Sequence, residues 1–136
     1  MYHVAMPIAP DDERRDEKVD AVTALPHAAD AVRITVVHVA EAGTDVTSVP
    51  AVADALDRLA AAGLAAETVR SDERPTEALL QVAADRDIDA ICVAGRRATP
   101  AGKRRLGAGA QQVLLRADCP VLVTGDTGDA GAADHV

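Results

Sequence analysis

Aromatic residues are almost missing: Tyr2 stands alone, with no Phe and no Trp among 136 residues. A core keyed by large rings is therefore excluded. Ala, Val, Leu and Ile must fill the interior, and any bound base would rest on aliphatic walls. Lysine is scarce as well, since the 14 basic residues are 12 Arg plus only Lys18 and Lys103, set against 22 acidic residues. The net charge of −8 and a pI near 4.8 argue against general attraction to nucleic acid or to an anionic membrane. No apolar run approaches the roughly 20 residues of a membrane span. The chain opens directly into a strand pattern rather than a signal-peptide pattern, so a cytoplasmic protein is expected. The acid excess points to a salt-rich cytosol such as a haloarchaeon's, where high net charge keeps proteins soluble under screening. A GC-rich genome favouring Ala, Arg and Asp codons is the alternative reading. The two cysteines, Cys92 within an apolar run and Cys119 before another, lack His or Cys companions. They read as reduced thiols, not as a metal site or a disulfide framework.

What is present alternates strand and helix signals. Val4–Ala9 (VAMPIA) reads as a first strand, followed by a polar helix with Val19, Ala21, Val22 and Leu25 on one side and a stop at Pro26. Val32–Val39 (VRITVVHV) is β-branched almost throughout, as suits the buried middle of a parallel sheet. Ser48 is placed to cap a helix carrying Val49, Val52, Ala53, Leu56, Leu59 and Ala60, which Gly63 ends. Ala65–Arg70 is a weaker strand. Pro75 then presets a helix first turn in which Glu77 suits the dipole, with Ala78, Leu79, Val82 and Ala83 as its apolar face. After Ala90–Ala94 the chain turns basic and glycine-rich, regains helical spacing at Ala110, Val113, Leu114 and Ala117, and ends in Val121–Val123. The order βαβαβαβαβ predicts an α/β fold, a three-layer sandwich with a five-stranded, mostly parallel sheet of Rossmann-like type. Residues 1–125 form the expected domain, and 126–136, without periodicity, an expected disordered acidic tail.

The segment from Gly95 to Gly109 invites two motif readings that fail on spacing. Six residues separate Gly95 from Gly102 where a Walker A loop has four, and Arg104 stands where the Mg²⁺-binding hydroxyl should be. Gly107 and Gly109 begin a GxGxxG pattern, but Gln112 holds the third glycine position and no strand immediately precedes it. A helix opening on glycines beside a basic loop nevertheless suits an anion, because its first N–H groups lack intrahelical partners.

The chain resembles the universal stress protein family over nearly its whole length. The resemblance rests on the Pro in VAMPIA, the HV at His38 and Val39, the apolar strand before Gly95, the Thr99-Pro100-Ala101-Gly102-Lys103 loop and the closing ADCPVLVTG. It implies an adenine nucleotide hydrolase-like fold, a homodimer paired through Val121, Leu122 and Val123, and a role in stress regulation. It also implies an ATP or AMP ligand, with Mg²⁺ if ATP, touching Pro7, Val39, Ala94, Gly95, Gly107, Ala108, Gly109 and Ala110, with Arg96 and Lys103 neutralising phosphate. Against the family pattern G-x2-G-x9-G-[ST], Gly95 matches, Ala98 replaces the second glycine, and Gly107 falls one residue early. Ala108 and Ala110 then replace two phosphate-binding hydroxyls. At about 1 kcal/mol per hydrogen bond, that loss weakens binding roughly ten- to a hundredfold. The family's acid two residues beyond the first-strand Pro is also missing. Ile8 and Ala9 follow Pro7, and Asp11 or Asp12 takes that place if the loop folds back.

Each feature has a plainer reading. The glycines also suit close helix–sheet packing and a tight turn, and the arginines suit pairing with surface carboxylates. His38 reads as a structural core residue, and the run Asp11, Asp12, Glu13, Asp16, Glu17 as a solvated helical face rather than a metal site. His3, His27 and His135 fall in unrelated segments, and Ser48 and Ser71 have no partner pattern, so no catalytic group is assembled and no enzyme is expected. The competing expectations are a nucleotide-free dimeric scaffold acting through protein partners and, third, an enzyme hydrolysing ATP or transferring adenylyl groups.

Overall fold

The computed structural model describes residues 1–97, 104–105 and 107–125, with the backbone alone for Arg96, Arg97, Arg104 and Arg105. The expected tail, Ala98, the Thr99–Lys103 loop and its candidate phosphate ligand Lys103 lie outside the described residues. Along the chain run β1 (Tyr2–Pro7), α1 (Arg15–Thr23), α2 (Ala28–Ala31), β2 (Val32–Val39), α3 (Pro50–Ala61), β3 (Ala65–Ser71), α4 (Pro75–Asp85) and β4 (Ala90–Ala94). Then follow β5 (Arg96–Arg97), β6 (Arg104–Arg105), α5 (Ala108–Arg116) and β7 (Val121–Thr124). Five strands form one sheet in the order β3-β2-β1-β4-β7, every neighbour parallel. The chain winds outward from β1 to β3 and then crosses back to β4. The strand order thus reverses between β1 and β4, which opens a crevice at the carboxyl ends of those strands.

Alternation along the strands sorts the aliphatic core into two layers. Val4, Met6, Ile34, Val36 and Cys92 face α1, α2 and α3, whereas Ala5, Val37, Ile91 and Val93 face α4 and α5. The Cys92 thiol is fully buried, and burial pushes its pKa up to about 11 against the opposing pull of the Lys18 charge. It is an inert core group.

Several boundaries shift for identifiable reasons. The first strand ends at Pro7 rather than Ala9, although Ile8 N still donates to the Val37 carbonyl at 3.0 Å. The next carbonyl, that of Ile8, accepts from His38 Nδ1 at 2.7 Å and so leaves the ladder. His38 is thereby the buried structural residue expected. Ser48 does not cap α3. It closes a 3-10 turn, its hydroxyl donating to the Asp45 carbonyl at 2.7 Å, and Val49 precedes Pro50 at the helix start without a side-chain cap. Proline at the first position already supplies the helical φ and lacks the N–H that a cap would satisfy. At the other end Gly63 adopts φ 83°, with Gly63 N bonded to the Ala60 carbonyl and Leu64 N to the Leu59 carbonyl, a Schellman stop. The antiparallel pair β5–β6 sits where a plain loop was expected, because two arginines per strand give no alternation to read.

At the amino ends of the strands lies a polar network that the sequence reading divided among unrelated segments. His3 is buried; its Nε2–H donates to Thr35 Oγ1, and its Nδ1 accepts from Arg33 Nη2 at 3.2 Å. Thr35 donates to Glu67 Oε1 at 3.1 Å, to which Arg86 also donates at 3.3 Å. The Asp89 carboxylate accepts from the His3 backbone N–H at 2.8 Å. Burial first, then the Arg33 charge, lowers the His3 pKa below 6.5, with Glu67 and Asp89 pulling the other way. The unfolded chain therefore binds the proton more readily than the fold. Stability from this group is complete above pH 6.5 and is lost as the pH falls through the depressed folded value. Urea midpoints measured from pH 7.5 to pH 5 should fall for the wild type and change less for His3→Gln; equal slopes would reject the assignment.

Candidate functional site

At the crevice, Pro7, Ile8, Ala9, Pro10, Val37, Val39 and Pro75 enclose a cleft of about 210 Å³ together with Asp12 and Lys18. Sites that take a whole drug-sized ligand measure roughly 300–1,000 Å³. This cleft accommodates a ring system on aliphatic walls rather than an entire nucleotide. Of the residues expected to form a site, Pro7 and Val39 line it directly.

The remaining candidates divide. Ala94 ends β4, and Gly95 N donates to the Thr124 carbonyl at 3.1 Å. A Cβ on Gly95 would lie 2.7 Å from that carbonyl oxygen and 3.2 Å from Val123 Cγ1, so the glycine is required by packing against β7. Gly107 precedes the first turn of α5 at φ −66°, ψ 165°, a conformation open to any residue, and no side chain caps the helix. Ala108, Gly109 and Ala110 form that turn. Among the described residues a Cβ on Gly109 would meet only Thr76 Oγ1, at 3.6 Å. Thr76 follows Pro75, which lines the cleft, so the start of α4 joins the aliphatic pocket to the uncapped start of α5. Arg96 lies on β5 just past Gly95.

Two groups escaped the sequence reading. The acid run was expected to be a solvated face, yet the Glu17 side chain is buried and that of Asp12 is only 9% exposed. Asp12 Oδ1 accepts from Arg14 N at 2.8 Å, and Oδ2 accepts from Ala9 N at 3.2 Å and from Lys18 Nζ at 2.7 Å. Lys18 Nζ also donates to the Pro7 carbonyl. Burial works to raise the Asp12 pKa, but the Lys18 charge and these hydrogen bonds outweigh it and hold the carboxyl below its ordinary value. The loop does fold back, as one expectation required, and brings Asp12 to the cleft while Asp11 stays exposed. A six-residue spacing from loop into helix matches no periodicity rule, so nothing local announced the pair.

The universal stress protein family model matches residues 5–125. The chain belongs to that family. Among solved structures, a universal stress protein in complex with cAMP aligns at 22% identity and TM-score 0.70, covering 90% of this chain and 95% of the other. The Archaeoglobus fulgidus universal stress protein in complex with dAMP aligns at 17% identity and TM-score 0.69, covering 91% and 98%. An Arabidopsis thaliana universal stress protein family protein with AMP bound aligns at 14% identity and TM-score 0.66, covering 91% of each. These likenesses establish the Rossmann-like α/β fold. No curated protein matches the chain significantly.

Within this universal stress protein the two glycine classes separate in a stability experiment. Gly95→Ala forces its methyl group onto the Thr124 carbonyl and should cost about 1–3 kcal/mol. Gly109→Ala meets ordinary van der Waals space in a helix and should gain up to about 1 kcal/mol. Urea unfolding of both variants checks the ordering, and a Gly109→Ala protein less stable than Gly95→Ala would overturn it.

Proposed function

We propose that this universal stress protein binds an adenine nucleotide as a small stress-response regulator. The observation that carries the reading is the juxtaposition of an aliphatic ring-sized cleft, at the reversal of strand order, with an uncapped helix start beside it. The base lies against Pro7, Val37 and Val39. The phosphate meets the backbone N–H groups of Ala108, Gly109 and Ala110, where the helix dipole favours an anion. The adenine nucleotides held by the cAMP, dAMP and AMP complexes support this choice of ligand. Arg96 and Lys103, on the connection between β4 and α5, supply charge. Thr76, whose hydroxyl stands next to Gly109, offsets part of the loss of hydroxyls at Ala108 and Ala110. ATP with Mg²⁺ is the larger form of the same ligand.

The proposed assembly is a homodimer through β7. That strand ends the sheet order with β4 as its neighbour, and Val123 is 40% exposed on it. An apolar edge of this kind is an aggregation liability unless paired. Among the described residues no helix is long and apolar enough to cross a membrane, and with the acidic composition this supports a place in a salt-rich cytoplasm. The role proposed is binding and signalling rather than catalysis. The loss of both hydroxyls favours a second reading, a nucleotide-free dimer acting through protein partners.

Calorimetric titration of AMP and of ATP with Mg²⁺, in molar KCl and at the lowest tolerated salt, separates the two. Micromolar binding is expected, at least about tenfold weaker in Gly107→Leu, with the urea midpoint of the variant measured alongside so that a loss of fold is not read as a loss of binding. Silence of the wild type at both salt concentrations would leave the scaffold reading.

A further inference from the structure

Because the sheet is parallel, α4 and α5 both end where β4 and β7 begin, at the edge of the sheet opposite the cleft. A groove of about 350 Å³ lies at those two ends, walled by Leu80, Ala83, Ala84, Ile88, Ala117 and Cys119. The residue after each helix cap is an acid that lines it, Asp87 beyond Arg86 and Asp118 beyond Ala117. Exposed acids are common in a chain of net charge −8, but these two stand where they cost stability. A helix C-terminus carries partial negative charge, which a carboxylate opposes. Asp87 carries a second cost, since it holds φ 53°, the left-handed conformation that helix ends ordinarily give to glycine. Among the described residues neither carboxylate accepts a hydrogen bond or forms an ion pair. The neighbouring cations are engaged elsewhere. Arg116 grips Glu77 with two N–H groups at 2.7 and 3.0 Å, and Arg86 donates to Glu67 at 3.3 Å. The Cys119 thiol registers the field of the groove, its pKa pushed up by burial first and then by the Asp118 and Asp89 charges.

We propose that this groove docks an arginine side chain of a partner protein, its aliphatic stem on the apolar walls and its guanidinium at Asp87 and Asp118. Apolar walls alone would take any aliphatic group, and acids alone any cation. Together they fit a side chain that is apolar along its stem and cationic at its head. Arginine suits the pair better than lysine, because its planar fork of donors matches carboxylates and is more weakly hydrated than an ammonium. A protein suits the groove better than a free amine. An isolated cation gains little from exposed carboxylates, whereas an anchor side chain adds to the rest of an interface, and arginine is enriched in that role. The groove lies at the other edge of the sheet from the nucleotide cleft, so the proposal stands or falls apart from the nucleotide reading.

The test follows backbone amide resonances while the blocked tripeptide acetyl-Leu-Arg-Leu-amide is titrated at the lowest salt that keeps the wild type folded. The same tripeptide with citrulline in place of arginine removes the charge but keeps the shape, and n-butylguanidinium supplies the head without the peptide. The arginine peptide should shift Ile88, Ala117 and Cys119 saturably, with the citrulline peptide and n-butylguanidinium each at least about tenfold weaker. Asp87→Asn/Asp118→Asn should lose a similar factor for the arginine peptide while its urea midpoint equals or exceeds that of wild type, since asparagine tolerates the left-handed conformation and no longer opposes the dipoles. No saturable shift in wild type, equal binding of the citrulline peptide, or binding unchanged in the double variant would overturn the proposal. Equal binding of n-butylguanidinium would overturn it in favour of a free cation, and a lowered urea midpoint in the double variant would assign the two acids to the fold instead.

Discussion

A charge buried beside an apolar cleft carries a desolvation cost of several kcal/mol unless it is paired and its hydrogen bonds are met, and the loop between β1 and α1 is shaped by that requirement. The Asp12 carboxylate gathers two backbone N–H groups and the Lys18 ammonium, and the ammonium reaches back to the Pro7 carbonyl at the end of β1. The loop is thus tied to the strand it leaves and to the helix it enters. His38 adds a third tie by taking the Ile8 carbonyl from the neighbouring strand β2. With the backbone from Pro7 to Asp12 held at both ends, one wall of the cleft exists before any ligand arrives. A preformed wall lowers the ordering cost of binding.

The glycines around the crevice do not share one task. Gly95 is pressed against the Thr124 carbonyl and serves the β4–β7 junction. Gly107 has an ordinary extended conformation, and among the described residues a Cβ on Gly109 would find only van der Waals contact with Thr76. Glycine is costly inside a helix, so a helix that begins Ala108-Gly109 gives up stability at the place where a bare backbone can approach an anion most closely. Packing accounts for the first glycine, Gly95.

Local pattern carried the architecture and failed wherever two distant segments meet. The β-branched run of β2, the proline start of α4 and the Gly63 stop are each decided within a few residues, and each is found where the spacing put it, whereas α3 starts at Pro50 rather than after a Ser48 cap. The His3 network joins residues 30 to 86 positions apart through parallel register, which no local window contains. The Asp12–Lys18 pair was obscured differently. Alternating acids and bases normally mark a solvated face, and only the fold-back of the loop, set by backbone donors at Ala9 and Arg14, converts one acid of that run into a buried group. The β5–β6 pair was invisible because arginine has neither strand propensity nor alternation in two-residue strands. At the site itself, Pro7 and Val39 were indicated by the family resemblance, with Val39 legible as the end of β2, whereas the polar Asp12 between loop and helix was not.

Salt divides the interactions of this protein into two classes. Arg116 with Glu77, Arg58 with Asp20 and Arg15 with Asp54 pair on the surface at 2.7, 2.8 and 3.1 Å. Such pairs contribute little even in dilute buffer and are screened within about 3 Å at molar ionic strength. The aliphatic layers are not weakened in this way, because burial of apolar area is strengthened by excluded salts and is indifferent to charge. The same division runs through the cleft. The Asp12–Lys18 pair at its edge, with side chains only 9% and 5% exposed, is screened far less than the surface pairs, and the aliphatic walls are not screened at all.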